Sequence, residues 1–310
     1  MTSSQRQGGT AIIMALVVVT VVAALATSLF QRQTASTRQF ENALARAQAR
    51  ELLAGGTDWA RLILREHGRQ ETVTVLQQVW ATPVMDTRID RPGDERVAVF
   101  SGRIEDEQGK FNLYALAQHG IAQPDSIDTL TRLLQMQQLP ASLAEPLVQA
   151  VAAAQAPASA KDSTGTPLTA VAQAPLPRGV AELADRLGLT PQVRAELERT
   201  LTLLPASTSI NVNTAPPEVI AAIVPTLTLS QARALTGERD RGNWFNNSGD
   251  FSNRLAAFGL TASAPVVTTT SQWFMAHGAL VYERARVGMQ ALLHSVPPAV
   301  PQTTWIRELP

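Results

Sequence analysis

The side chains that could do chemistry are four histidines, a run of three acids and one asparagine-rich stretch. His67, His119, His277 and His294 lie far apart and form no local metal-ligand spacing, so they read as ordinary surface or core residues. Glu105-Asp106-Glu107, next to Gln108-Gly109, offers carboxylates for a cation, but reads better as a solvated turn. With no cysteine, disulfides, thiolate metal sites and a cysteine nucleophile are excluded, while the redox compartment stays open. There is no Gly-x-Ser-x-Gly elbow, no phosphate-binding glycine loop with lysine and no dinucleotide fingerprint. Nothing assembles into a catalytic set, so the expectation is a protein that is not an enzyme.

The most specific stretch is Ile210-Asn211-Val212-Asn213-Thr214-Ala215-Pro216-Pro217-Glu218-Val219-Ile220. It leads into a helix, where prolines are tolerated in the first turn because those amides have no intrahelical partner. Asn211 and Asn213 are expected to bond local backbone and fix the lead-in turn. This stretch resembles the start of helix-hairpin-helix DNA-binding modules, which continue into a Gly-x-Gly hairpin that holds phosphates. Here the corresponding residues are Val224-Pro225-Thr226-Leu227-Thr228, without either glycine and with one amide removed by Pro225. Residues 114–265 carry 10 Lys+Arg against 12 Asp+Glu, the wrong sign for neutralising phosphate. No nucleic acid is expected as a partner; a membrane-anchored DNA-uptake protein is the alternative.

The elements around these residues begin with an anchor. Thr10 to Phe30 is a run of 21 residues without a charge, long enough to span a bilayer core. Before it, Met1 to Gly9 carries Arg6 and ends in Gly8-Gly9. An ordinary secretory signal is cut after its apolar core, and Ala24-Leu25-Ala26 would suit that, as in a secreted hydrolase. Against it, the helical pattern continues: no proline stands between Gln31 and Glu66, and Ala45, Ala49, Leu52, Gly56, Trp59 and Ile63 form a heptad-like stripe. One helix is expected from Thr10 to near Glu66, roughly 85 Å long, with Gly55-Gly56 its weak point.

In the body, a loop is expected around Pro83 to Gly93. A strand-turn-strand hairpin follows over Arg96 to Leu113, turning at Gln108-Gly109. The strand signature then disappears, and helix starts are marked at Thr190-Pro191 and by the Thr228-Leu229-Ser230-Gln231 capping box. Strand signals return at Val266 to Thr270, Trp273 to Tyr282 and the alternation over Val287 to His294. Ala150 to Pro177 reads as an Ala/Pro/Ser/Thr loop. The simplest solution is one sheet, completed by the C-terminal strands and packed on the first helix, with the helical middle inserted.

A glycine-ended leader, an apolar helix that becomes an amphipathic spine, and the Asn-Val-Asn-Thr-Ala-Pro-Pro-Glu run together resemble the K-type minor pseudopilins of type II secretion. The resemblance implies an α+β, pilin-like fold: a long N-terminal helix packed on an antiparallel sheet, with a large inserted all-α domain. The implied boundaries are a leader over 1–9, a membrane half over 10–30, a spine and first strands over 31–113, an insert over 114–265 and closing strands over 266–310. It implies leader cleavage between Gly9 and Thr10 by a prepilin peptidase, followed by methylation of the new amine.

It also implies a place at the pseudopilus tip. The fifth mature residue of pilins is normally a glutamate that neutralises a neighbouring subunit's amine, and here it is Met14. A subunit without that buried partner fits the end of the filament. The insert motif carried by the likeness is Asn211, Asn213, Thr214, Pro216, Pro217 and Glu218. Implied partners are minor pseudopilins of the I, J and H types, the major pseudopilin, the inner membrane, and exported substrates or the outer-membrane secretin. Calcium occurs in the family, but Ala141 to Val180 holds only Glu145 and Asp162 as acids, too few for six to eight oxygen ligands. No cofactor is therefore expected.

Overall fold

The computed structural model describes residues 8–90, 97–157, 171–260, 267–283 and 285–309, the side chains of residues 8–10 excepted. The leader up to Gln7, Asp162 with much of the Ala/Pro/Ser/Thr loop, and Val266 lie outside those residues.

Helix α1 runs unbroken from Gly8 to Gln70, about 95 Å at the standard rise. What covers it divides it in two. From residue 11 to residue 44 every side chain is exposed, and the apolar part of that stretch has the length and hydropathy of a membrane span. From Ala45 onward one face is buried by Ala45, Ala49, Leu53, Thr57, Ala60 and Leu64.

This face differs from the expected stripe. Trp59 is 46% exposed, and Leu52, Gly56 and Ile63 are only half-buried. A heptad seam belongs to a helix facing another helix. Here the partner is a sheet, and the buried positions advance by about 3.8 residues per step, nearer the 3.6 of a straight helix than the 3.5 of a coiled coil.

The sheet has the order β1 (Val84–Asp90), β2 (Val97–Asp106), β9 (Trp273–Tyr282), β10 (Ala285–His294) and β11 (Gln302–Leu309), antiparallel throughout. The hairpin partner of β2 is thus the segment expected to be a loop. β1 is an edge strand with mostly exposed side chains, held by backbone pairing, so its two aspartates obscure it in the sequence. Phe111 and Leu113 do not return along β2. The chain makes a single 3-10 turn at Glu107–Gly109 and leaves the sheet, and β3 (Phe111–Asn112) pairs in parallel with β6 (Leu201–Thr202).

Between β2 and β9 stands a helical domain with its own core, which includes Leu134, Leu147, Leu197, Ile220, Phe245 and Phe251. Its helices are α2 (Pro124–Met136), α3 (Ala144–Ala153), α4 (Val180–Arg186), α5 (Pro191–Thr200), α6 (Pro217–Ile223), α7 (Leu229–Asp240) and α8 (Ser248–Ala256). Thr190 caps α5 by accepting from the Val193 amide, and Thr228 with Gln231 forms a complete capping box on α7. Short strand pairs survive among the helices: β4 (Ala117–Gln118) with β5 (Ile121–Ala122), and β7 (Ile210–Asn211) in parallel with β8 (Val267–Thr268). Val267 and Thr268 therefore join the domain, not the main sheet. Two-residue strands are too short to leave a period in the sequence.

The helix and sheet meet through Leu53, Phe100 and Leu280 at one end, and through Leu64, Trp80 and Phe274 at the other. Gly56 is required there, because a Cβ on it would lie 2.7 Å from Phe100 Cε2, and the same ring lies 2.8 Å from a Cβ built on Gly102. A ring bounded on two sides cannot step aside. Gly55 has nothing within 4 Å. Gly56→Ala should therefore lower stability by about 1–3 kcal/mol despite its better helix propensity. Gly55→Ala should raise stability by up to about 1 kcal/mol. Denaturant titration of the two variants checks the opposite signs.

Candidate functional site

Where the chain leaves β2, almost every residue from Glu105 to Asn112 is polar. A solvated turn would expose them, but Asp106 is 7% exposed, Glu107 4%, Gln108 7% and Asn112 3%. Buried polar groups at this density need partners, and other parts of the chain supply them.

Asp106 is the centre. Its Oδ2 accepts from Ser271 Oγ at 2.5 Å, Thr214 Oγ1 at 2.6 Å and Asn211 Nδ2 at 3.0 Å, and its Oδ1 accepts from the Gln108 amide at 2.8 Å. Burial pushes this carboxyl up from its ordinary value, and the donors from Ser271, Thr214, Gln108 and Asn211 pull against that shift. Asn211 also donates to the Thr74 carbonyl at 3.1 Å and to Ser271 Oγ at 2.8 Å. Ser271 N donates to Thr74 Oγ1 at 3.1 Å, and Thr74 N to the Thr269 carbonyl at 2.8 Å. The loop after α1, the exit from β2, the insert motif and the return to β9 thus share one hydrogen-bond network.

The flanking side chains extend it. Gln108 Oε1 accepts from the Gln272 and Trp273 amides at 2.6 and 3.2 Å, and its Nε2 donates to the Ser209 carbonyl. Asn112 holds Leu204 N, the Ala206 carbonyl and Thr208 Oγ1. Lys110 Nζ lies 2.9 Å from Glu107 and 3.4 Å from Glu105, and Glu107 in turn accepts from Thr202 Oγ1 at 2.6 Å. Gly109 leaves room for the motif: a Cβ there would lie 2.7 Å from Thr214 Oγ1 and 3.0 Å from its backbone.

The asparagines therefore do more than the local bonding expected of them. Asn211 Oδ1 does accept locally, from the Asn213 amide at 3.0 Å. Its amide group, however, reaches across the junction. Asn213 pairs with both backbone groups of Phe245, at 2.8 and 2.9 Å. Arg239, 3% exposed, clamps the motif from α7 by donating to the Val212 and Ala215 carbonyls at 3.0 and 2.6 Å. Pro216 occupies the N-cap and Pro217 the first position of α6, and Glu218 stands 3.9 Å from Arg233.

Both carboxyl oxygens of Asp106 accept from within the protein, so the network ties segments of the chain together. The α6 to α7 connection offers no phosphate cradle, since Val224 and Leu227 are buried and Pro225 has no amide hydrogen. Among the described residues no three His, Asp or Glu side chains gather as metal ligands, and Glu145 accepts from Gln149 at 2.6 Å. Asp162, the other acid of the stretch weighed for calcium, lies outside the described residues. At the other end of the molecule, Gly9 and Thr10 fall in the first turn of α1 and Met14 is 69% exposed. The first carboxylate along the helix is Glu41.

Two family models described as type II secretion system (T2SS), protein K match residues 109–206 and 210–271. The type II secretion system protein K of Pseudomonas aeruginosa is 32% identical over 270 residues, covering 82% of this chain and 78% of that protein. A chain in the crystal structure of the GspK-GspI-GspJ complex from the enterotoxigenic Escherichia coli Type 2 Secretion System has the same fold. It superposes with a TM-score of 0.59 at 18% identity, over 90% of this chain and 99% of that one.

Asp106→Ala would take away the acceptor of the buried Gln108 N–H and Ser271 hydroxyl, and should cost at least about 3 kcal/mol. Ser271→Ala, which removes one donor, should cost about 1–2 kcal/mol. Denaturant unfolding checks both. Glu105 tests the pH dependence. Burial works against its ionisation, but His277, Lys110 and Arg103 outweigh it and hold the carboxyl well below its ordinary value of 4.5. Stabilisation of that sign is present above the ordinary value and is lost as pH falls. Glu105→Gln should thus be less stable than the parent at neutral pH, with the gap closing progressively below about pH 4.5 in thermal melts across a pH series.

Proposed function

The chain belongs to the type II secretion system protein K family, and from that premise we propose that this minor pseudopilin caps the pseudopilus tip. There it would join minor pseudopilins of the I, J and H types and help start assembly of a shaft made by the major pseudopilin. The observation that carries this is the exposed apolar start of α1, with Met14 where a shaft subunit has its neutralising carboxylate and no acid before Glu41. A buried terminal amine beside such a residue would have no counter-charge, a cost avoided at a position that has no neighbour beyond it.

Bulk points the same way. The helical domain between β2 and β9 is held rigidly to the sheet by the Asp106 network, so it cannot fold back to let a copy pack closely along a shaft. The solved relative was found with GspI and GspJ, which supports partners of those types here. In this reading the prepilin peptidase cuts between Gly9 and Thr10, α1 remains as a single-pass inner-membrane anchor, and the body stands in the periplasm, within reach of exported substrates and the secretin. We assign the chain no reaction and no nucleic-acid partner.

N-terminal sequencing of the membrane-bound protein should begin at Thr10, with a methylated amine; a chain beginning just after Ala26 would refute the anchor. Gold-labelled antibody against the helical domain should mark one end of each isolated pseudopilus. Labels repeated along the shaft would overturn the tip placement.

A further inference from the structure

Between the outer face of the sheet and the helical domain lies a cleft of about 420 Å3 that plays no part in the tip assignment. Its floor is apolar: Leu204, Leu292, Met275 and Trp305 pack together there. Its walls carry five arginine or lysine side chains against three glutamates, a local excess of positive charge on a chain whose formal net charge is zero. Two of those glutamates are already engaged, Glu105 by Arg103 and Lys110, and Glu107 by Lys110, and Arg199 is engaged by Glu196, so Arg178 and Arg307 are the cations of the lining without an ion pair among the described residues. Glu198 is the third glutamate.

Arg307, two residues after Trp305 on the edge strand β11, is held in place by a line of side chains across the strands. Its Nη2 donates to Gln290 Oε1 at 2.5 Å, Gln290 Nε2 faces His277 Nδ1 at 3.3 Å, and His277 Nε2 faces Glu105 Oε2 at 3.5 Å. Because Arg307 takes the carbonyl oxygen of Gln290, the amide hydrogens of Gln290 point at His277 Nδ1. That leaves the imidazole proton on Nε2, toward Glu105. The line orients the guanidinium without neutralising it: the Nη2 bond goes to a neutral amide, and no carboxylate pairs with Arg307 among the described residues. A carboxylate matches the guanidinium fork best.

We infer that this cleft binds an extended, acidic peptide segment of a protein partner, with a carboxylate on Arg307 and an apolar neighbour on Trp305 and Leu292. The charge excess selects the acid and the floor selects the neighbour. Arg178, exposed at the opposite wall, draws in the segment's second acidic residue. Binding would stand or fall independently of where the subunit sits in the pseudopilus.

The test is fluorescence anisotropy of the full chain in detergent micelles with a labelled hexapeptide of alternating leucine and glutamate, beside its glutamine and lysine counterparts. Only the glutamate peptide should bind, more weakly as salt rises. Arg307→Met should weaken it about tenfold or more, Arg307→Lys less, and Arg178→Met, in a loop away from the sheet, measurably. Circular dichroism and melting of each variant show whether the fold is kept. Equal binding of the glutamine peptide, no binding of the glutamate peptide, or unchanged affinity in folded Arg307→Met and Arg178→Met would overturn the assignment.

Discussion

A buried carboxylate without a cation governs how this molecule is joined. Among the described residues Asp106 has no ion-pair partner, only donors from Ser271, Thr214, Asn211 and the Gln108 amide. A lysine or arginine would have satisfied the charge from one direction and left the other segments free. Neutral donors must each come within hydrogen-bond distance, and here they come from the turn itself, the insert motif and the lead-in to β9. Burying the carboxyl therefore draws the end of β2, the insert motif and the start of β9 together, and Asn211 and Ser271 tie in the loop after α1 through Thr74. Misplacing any one of them leaves the carboxylate underbonded where water cannot compensate.

The other half of the molecule obeys the opposite rule. Along the start of α1 there is little polar to satisfy beyond the backbone, which the helix pairs internally. Thr20 and Thr27 return their hydroxyls to carbonyls one turn back. The same helix then buries Ala49, Leu53 and Leu64 on the sheet, so the stretch with the length and hydropathy of a membrane span and the spine of the body are one continuous helix. The glycine pair does not break it, and Gly56 is closed in by Phe100.

Much of this was legible in the residues. The uncharged run after Gly9, the absence of proline up to Glu66, the caps at Thr190 and Thr228, and the strands β9 and β10 each follow from local rules that tertiary structure did not override. β1 was hidden because an exposed edge strand needs no apolar period. From Leu53 onward the buried face of α1 lies one residue beyond the expected stripe, because alternating steps of four and three were read for positions that advance by about 3.8. The junction was missed for a deeper reason: nothing in Glu105-Asp106-Glu107 itself says that it is buried, since burial depends on donors more than 100 residues away. One signal was available, namely two dense polar runs, residues 105–112 and 208–214, each at the edge of a strand pattern.

The topology explains why such a large domain can sit there at all. β2 and β9 are neighbours and antiparallel, with Asp106 opposite Phe274. The whole helical domain is therefore, in sheet terms, the loop of a hairpin. Its ends are brought together by strand pairing, so the entropic cost of closing it grows only slowly with its length, and the sheet loses no strand by hosting it. What a loop of that size lacks is a fixed direction, because two adjacent chain crossings make a pivot. The polar network removes the pivot: β3 with β6 and β7 with β8 add parallel pairing on either side of it, and Asp106 stands at the base of the hairpin where the two crossings are closest. The carboxylate that is costly to bury thus lies at the point where fixing an angle has the greatest effect on where the far end of the domain is presented.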